Sequence, residues 1–208
     1  MAYFPFYVEV ENKKCLLIGG GIVAPRKLEV LLSFGPVFHV VAPEIEDEII
    51  EMAKRHSDKI RLSKRKFMDS DLDDADFVVA ASSDEELNRH IFITCEQRRI
   101  PVNVVDVKEE CSFIVPAIIH NDSFTIAVSS GGKSPVAAKY LKQQIRNAVP
   151  ENYENLIEDL GDCRDYVKQQ IPEQKIRGAV FQELLDAGLE NDCSLTKEIV
   201  EAIVAKYK

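Results

Sequence analysis

The sequence predicts an α/β protein. A parallel, doubly wound sheet comes first, then a β-hairpin with a helix, then a helical C-terminal part. Three observations predict it. Short apolar runs alternate with helix-like segments over residues 13–106. A glycine-rich turn joins the first run to the first helix. After Asp106 the alternation stops, and two apolar arms joined by a polar turn lead into charged, helical sequence. Alternating strands and helices build parallel sheets, and apolar arms around a short polar turn build hairpins.

Residues 3–10 read as a short edge strand or a lead-in, because Pro5 disfavours a central position. Cys15, Leu16, Leu17 and Ile18 then form a buried strand. Gly19-x-Gly21-x-x-Ala24 follows, and Val23, Lys27, Val30 and Leu31 have helical spacing up to Gly35. This strand–turn–helix context makes the spacing a dinucleotide fingerprint of a Rossmann-like sheet. Gly19 permits the tight turn, Gly21 lets a pyrophosphate approach the backbone, and Ala24 lets helix and strand pack closely. Gly20, Ile22 and Val23 complete the candidate nucleotide loop. The helix start offers N–H groups to phosphate, and Pro25 falls where a missing N–H costs little.

Residues 37–41 form the second strand, ending at Pro43 and Glu44. Glu44 stands about where an acid binds the adenosine ribose, with Pro43 beside it; as a capping or solvated turn residue it needs no such role. A helix over 45–55 and a polar outer strand over 60–67 come next. Residues 76–81 form a buried strand ending at Ser82 and Ser83, the next nucleotide candidates. Ser83 or Asp84 caps a helix over 85–99, on which Asn88 reads as a surface residue. Residues 100–106 are the last strand of this series. Ligands of such sheets sit at the carboxyl ends of the strands. That rule gathers Gly19 to Gly21, Pro43, Glu44, Ser82, Ser83, Asp84 and Asp106 at one rim.

Residues 112–119 and 123–129 are the hairpin arms, with His120, Asn121 and Asp122 as the turn. A lone hairpin is marginal in water, so it is expected to pair, and the same hairpin of a second subunit is a candidate. Ser129, Ser130, Gly131, Gly132 and Lys133 form a second anion-suited loop before a helix over 136–148. Ser134 as N-cap and Pro135 at the first helical position give it a purely structural reading. Pro172 and Gly188 divide the helical sequence beyond 151. The expected parts are 1–112, a nucleotide-binding domain; 113–148, a dimerisation hairpin and helix; and 149–208, a helical domain.

The net charge is −9, which argues against nucleic acid as a partner. No apolar run reaches the ~20 residues of a membrane span, and the first residues lack a signal peptide's basic start. The cysteines at 15, 95, 111, 163 and 193 form no C-x-x-C pair. They read as reduced thiols of a cytoplasmic protein, and no metal site is expected.

GGGIVAPRK (19–27), NVVD (103–106), CSFIVPAII (111–119) and TIAVSSGGKSPVAAKYLKQQI (125–145) resemble the precorrin-2 dehydrogenase/sirohydrochlorin ferrochelatase family of siroheme synthesis. The resemblance covers residues 5–148. It implies NAD-dependent oxidation of precorrin-2, a tetrapyrrole, to sirohydrochlorin by a homodimer with intertwined hairpins; some members also insert Fe²⁺. It implies Asp106 as proton acceptor, where the plainer reading is a turn cap. Ser129 to Lys133 become candidates for the substrate carboxylates; Arg26 and Lys27, on the first helical turns after the fingerprint, face either the pyrophosphate or those carboxylates, or are plain solvated charges. His120 becomes a candidate proton carrier or metal contact, whereas His39 reads as a core histidine. A nucleotide-sensing module without chemistry is the rival. Residues 1–106 alone allow it; the second glycine loop and the helical tail argue against it.

Overall fold

The structure, a computed structural model, describes residues 3–208. It divides into two compact units, with the boundary between Val115 and Pro116.

The first unit is a five-stranded parallel sheet. Its strands are β1 (Lys14–Ile18), β2 (Val37–Ala42), β3 (Ile60–Lys64), β4 (Phe77–Ala80) and β5 (Val102–Val104), in the order β3-β2-β1-β4-β5. The order reverses between β1 and β4, where a doubly wound sheet opens its ligand crevice. The helices are α1 (Ala24–Leu32), α2 (Asp47–Arg55) and α3 (Glu85–Arg98). Both faces of β1 are buried: Leu17 joins Leu28, Phe38, Ile49 and Val79, while Leu16 and Ile18 join Val78, Ile91, Cys95 and Val102. This double burial explains the unbroken apolar runs. Ile18 is in register with Val41 and Ala80, and Ala80 with Val104. The four carboxyl ends therefore share one edge.

Three strand expectations are corrected. Residues 3–10 form no strand, and Phe4 and Phe6 are exposed. β3 stops at Lys64, where the Arg65 N–H turns back to the Ser63 carbonyl at 3.0 Å and the Arg65 guanidinium pairs with the Asp71 carboxylate at 2.5 and 2.8 Å. β5 stops at Val104, and Asp106 lies beyond it in a turn.

The second unit opens with the antiparallel pair β6 (Ala117–His120) and β7 (Thr125–Val128), against which α4 (Pro135–Ala148) packs. The Asn121 N–H donates to the Phe124 carbonyl at 3.1 Å, closing the turn one residue later than expected. His120 pairs with Thr125 and is thus a strand residue. Helices α5 (Tyr153–Asp162), α6 (Arg164–Gln170), α7 (Gln174–Glu190) and α8 (Lys197–Ala205) enclose a core of Leu156, Val167, Val180, Leu184 and Val204. Pro172 separates α6 from α7. Gly188 does not end a helix; it lies within α7, and the break follows at Asn191. Among the described residues, no helix is long and apolar enough to cross a membrane.

Candidate nucleotide site and the Asp106 turn

The loop after β1 is built from three glycines with different duties. Gly19 has φ +108°, open to glycine at little cost, and a Cβ there would lie 2.3 Å from the Ala81 carbonyl oxygen. A Cβ on Gly20 would lie 2.4 Å from the Glu44 carbonyl oxygen, and the Glu46 N–H donates to the Gly20 carbonyl at 2.9 Å. The first two glycines thus let the loops after β2 and β4 close on the loop after β1. Gly21 is different: beyond its chain neighbours, none of the described residues lies within 4 Å of the position its Cβ would take. That open cradle fits a dinucleotide's pyrophosphate.

Behind the cradle, Ala24 is fully buried and Pro25 occupies the first turn of α1. No side chain caps this helix, so its first N–H groups can serve an anion. Ile22 and Val23 are exposed at its mouth. Pro43 and Glu44 are exposed at the end of β2. Ser82 is half-buried and Ser83 exposed after β4. The structure thus brings Gly19 to Val23, Pro43, Glu44, Ser82 and Ser83 to one edge of the sheet.

The sequence reading missed what fixes the serine loop. Asn88 is buried, not a surface residue. Its amide donates to the Ser82 carbonyl at 2.9 Å and accepts from the Ser82 N–H at 3.3 Å. Asp84 caps α3, accepting from the Leu87 N–H at 3.0 Å.

On the other side of β4, the Val105 N–H donates to the Ala80 carbonyl at 2.9 Å, and the chain then turns. Asp106 sits in that turn, exposed, with φ +64°. This left-handed conformation is uncommon for a residue with a side chain and is met often at functional sites. Lys27, on α1, is half-buried. Burial lowers its ammonium pKa, and the nearby Asp106 carboxylate and Cys111 thiol oppose that shift. Arg26 is exposed on the same turn. His39 is half-buried and shares a 2.8 Å hydrogen bond with Ser63; burial and Arg61 lower its pKa.

The second unit carries the other candidates. Gly131 and Gly132 have φ +62° and +81°, so this loop needs residues that enter left-handed space freely. The Ser129 hydroxyl accepts from the Gly131 N–H at 3.0 Å, and that of Ser130 from the Ser134 N–H at 2.8 Å. Ser134 caps α4 by accepting from the Ala137 N–H at 3.2 Å. Lys133 is exposed. His120 Nδ1 shares a 2.8 Å hydrogen bond with the Thr125 hydroxyl across the hairpin. All five cysteines are free, and among the described residues no three His, Cys, Asp or Glu side chains are grouped to hold a metal ion.

Comparison with known proteins agrees with this geometry. The family model "Putative NAD(P)-binding" matches residues 6–117, more than half of the chain. The model "Sirohaem biosynthesis protein central" matches residues 122–148. The siroheme synthase of Thioalkalivibrio sulfidiphilus is 38% identical over 186 residues, covering 89% of this chain and 38% of that protein. That of Methylococcus capsulatus is 37% identical over 186 residues, covering 89% and 39%. The chain therefore spans about two fifths of the length of these curated relatives. A solved structure titled "SirC, precorrin-2 dehydrogenase" shares the fold, with a TM-score of 0.73, 21% identity, and 99% and 98% of the two chains covered. The glycine cradle lies inside the first match and the SSGG loop inside the second, and the chain belongs to the family described as putative NAD(P)-binding.

Proposed function

We propose that the chain is an NAD-dependent precorrin-2 dehydrogenase that forms sirohydrochlorin in siroheme biosynthesis. One observation carries this reading: the open Gly21 cradle after β1 and the left-handed Asp106 turn after β5 flank the same strand, β4. A nucleotide cradle and a carboxylate at one sheet edge suit removal of a hydride and a proton from one substrate.

Bound NAD⁺ supplies the hydride acceptor. Gly19 to Val23 receive the pyrophosphate, Pro43 and Glu44 the adenosine ribose, and Ser82 and Ser83 line the same edge. NAD rather than NADP follows from Glu44, whose charge repels a 2′-phosphate. Asp106 accepts the departing proton at its carboxylate oxygen. Arg26 and Lys27 attract substrate carboxylates, and Ser129 to Lys133 offer them a small-residue loop. His120 is a secondary proton carrier. The parts are 1–112 for nucleotide, 113–148 for dimerisation and 149–208 as a helical domain. Exposed Val136, Tyr140 and Leu141 on α4 support a homodimer, and five free thiols support a cytoplasmic setting.

The test is an anaerobic absorbance assay with precorrin-2 and NAD⁺, followed by Fe²⁺ or Co²⁺. NADH with a sirohydrochlorin spectrum is expected. A further metal-dependent shift above the no-enzyme rate would add chelatase activity. Nucleotide binding without NADH would replace the enzyme by a sensor.

A further inference from the structure

The turn that carries Asp106 is not held by its own backbone bond alone. The Val107 N–H reaches the Val104 carbonyl at 3.4 Å, the long end of the range. A side chain from seven residues beyond Val104 supplies the rest. The Cys111 Sγ lies 3.1 Å from the Val104 oxygen and 3.2 Å from the Val107 oxygen, so one S–H reaches both ends of the turn. Burial pushes the Cys111 thiol pKa up, which keeps that proton in place at neutral pH.

The thiol is itself held. Cys111 faces Asn103 across an antiparallel bridge. The Asn103 amide nitrogen donates to Cys111 Sγ at 3.4 Å and to the Phe113 carbonyl at 3.0 Å. Ser112 fixes the base of the loop: its hydroxyl accepts from the Val102 N–H at 2.8 Å, and its own N–H donates to the Val102 carbonyl at 2.9 Å. Asn103 is 6% exposed, and its Oδ1 has no partner among the described residues. Turning the amide over would set Oδ1 against the Phe113 oxygen, so the orientation follows from the neighbours. A buried amide with an unsatisfied oxygen is a poor packing choice for a strand. What its NH₂ group holds accounts for it.

We propose that Cys111 and Asn103 are positioning residues for Asp106: the thiol straps both ends of the Val104–Val107 turn, the amide aims the thiol, and the carboxylate is thereby held in one place for proton removal. This rests on the dehydrogenase reading above, in which Asp106 accepts the proton.

The test uses the full chain as Cys111→Ala, Cys111→Ser, Asp106→Asn and the double variant Cys111→Ala/Asp106→Asn. Turnover with precorrin-2 and NAD⁺ is measured beside hydrogen exchange of the Val107 amide. Cys111→Ala is expected to lower kcat about ten-fold, since a small displacement of a reacting group is costly. KM for NAD⁺ stays within about two-fold, because the glycine cradle is untouched. Exchange at Val107 speeds up. Cys111→Ser, which keeps a donor, restores most of both. In the Asp106→Asn background, Cys111→Ala changes kcat no further, as expected of residues acting through one group. Wild-type kcat in Cys111→Ala, unchanged exchange at Val107, or independent losses in the double variant would overturn the proposal. Wild-type turnover in Asp106→Asn would overturn the role of Asp106 and with it the strap; an inactive Asp106→Asn beside a fully active Cys111→Ala removes the strap alone. Should Cys111→Ala not fold, Asn103→Ser carries the same outcomes.

Discussion

A Cβ on Gly20 would lie 2.4 Å from the Glu44 carbonyl oxygen and 2.9 Å from the Ile45 Cα, whereas one on Gly21 would meet, beyond its chain neighbours, none of the described residues within 4 Å. Two adjacent glycines thus separate folding from binding. Gly20→Ala forces backbone against backbone and should destabilise the first unit by about 2–3 kcal/mol. Gly21→Ala should leave thermal unfolding unchanged and weaken NAD⁺ about ten-fold or more. Scanning calorimetry and nucleotide titration of both variants check this. Equal losses of stability would mean that Gly21 serves the fold and not the phosphate.

Asn88 ties down the serine loop with two hydrogen bonds to one residue, Ser82. Asn88→Ala leaves the Ser82 N–H and carbonyl without those partners, at a cost of about 1–3 kcal/mol. It should also weaken NAD⁺ binding, because Ser82 and Ser83 line the proposed site. Urea unfolding and a nucleotide titration are the measurements. A loss of stability with unaltered affinity would take these serines out of the site.

Much of the fold was legible because its signals are local. Unbroken apolar runs such as Cys15–Ile18 report burial on both sheet faces, and Gly19-x-Gly21-x-x-Ala24 reports a turn of fixed geometry. A topological rule put Asp106 at the sheet edge, but as the last residue of a strand that in fact ends at Val104. The left-handed backbone of Asp106 was not legible, since that depends on Cys111 and Asn103 reaching around the turn. Asn88 and Asn103 were misread or passed over for the same reason: a polar residue among apolar ones shows its partner only after the chain has folded. Residues 3–10 proved a lead-in and not an edge strand: they pair with neither β3 nor β5, and residues 4–9 stay exposed. His120 moved into a strand because Asn121, not His120, closes the hairpin.

Glu44 stands exposed where β2 gives way to its loop. If it receives the ribose hydroxyls, Glu44→Ala removes both a hydrogen-bond acceptor and a charge that repels a 2′-phosphate. The ratio of kcat/KM for NAD⁺ to that for NADP⁺ should fall about ten-fold, mostly through KM. Initial rates with each nucleotide decide this. An unchanged ratio would make Glu44 a solvated turn residue.

Lys27 keeps a cation half-buried beside Asp106. Burial lowers its pKa below the ordinary lysine value, so the folded state binds that proton less readily than the unfolded chain. The resulting penalty is fully present below the folded pKa. It fades as pH rises toward the unfolded value of about 10.4. Lys27→Met should therefore raise the melting temperature near pH 7, and the gain should shrink toward pH 10.5. Activity should fall, if Lys27 attracts substrate carboxylates. A gain independent of pH would trace to apolar contact and not to the ammonium.

Gly188 lies inside α7, where glycine is normally a cost of about 1 kcal/mol relative to alanine. A Cβ there would meet the Leu156 Cδ1 at 2.2 Å. Leu156 is fully buried in the core of the second unit, so displacing it disturbs close packing. Gly188→Ala should therefore destabilise despite the better helix propensity. Leu156→Ala alone should cost about 2–5 kcal/mol as a cavity. In the Leu156→Ala background the sign of the glycine change should reverse, with Gly188→Ala now stabilising by about 0.5–1 kcal/mol, since only the propensity remains. Urea unfolding of the four chains gives the coupling directly. Additive effects would show that Leu156 yields freely, and that the close approach of α5 and α7 does not require glycine at this position.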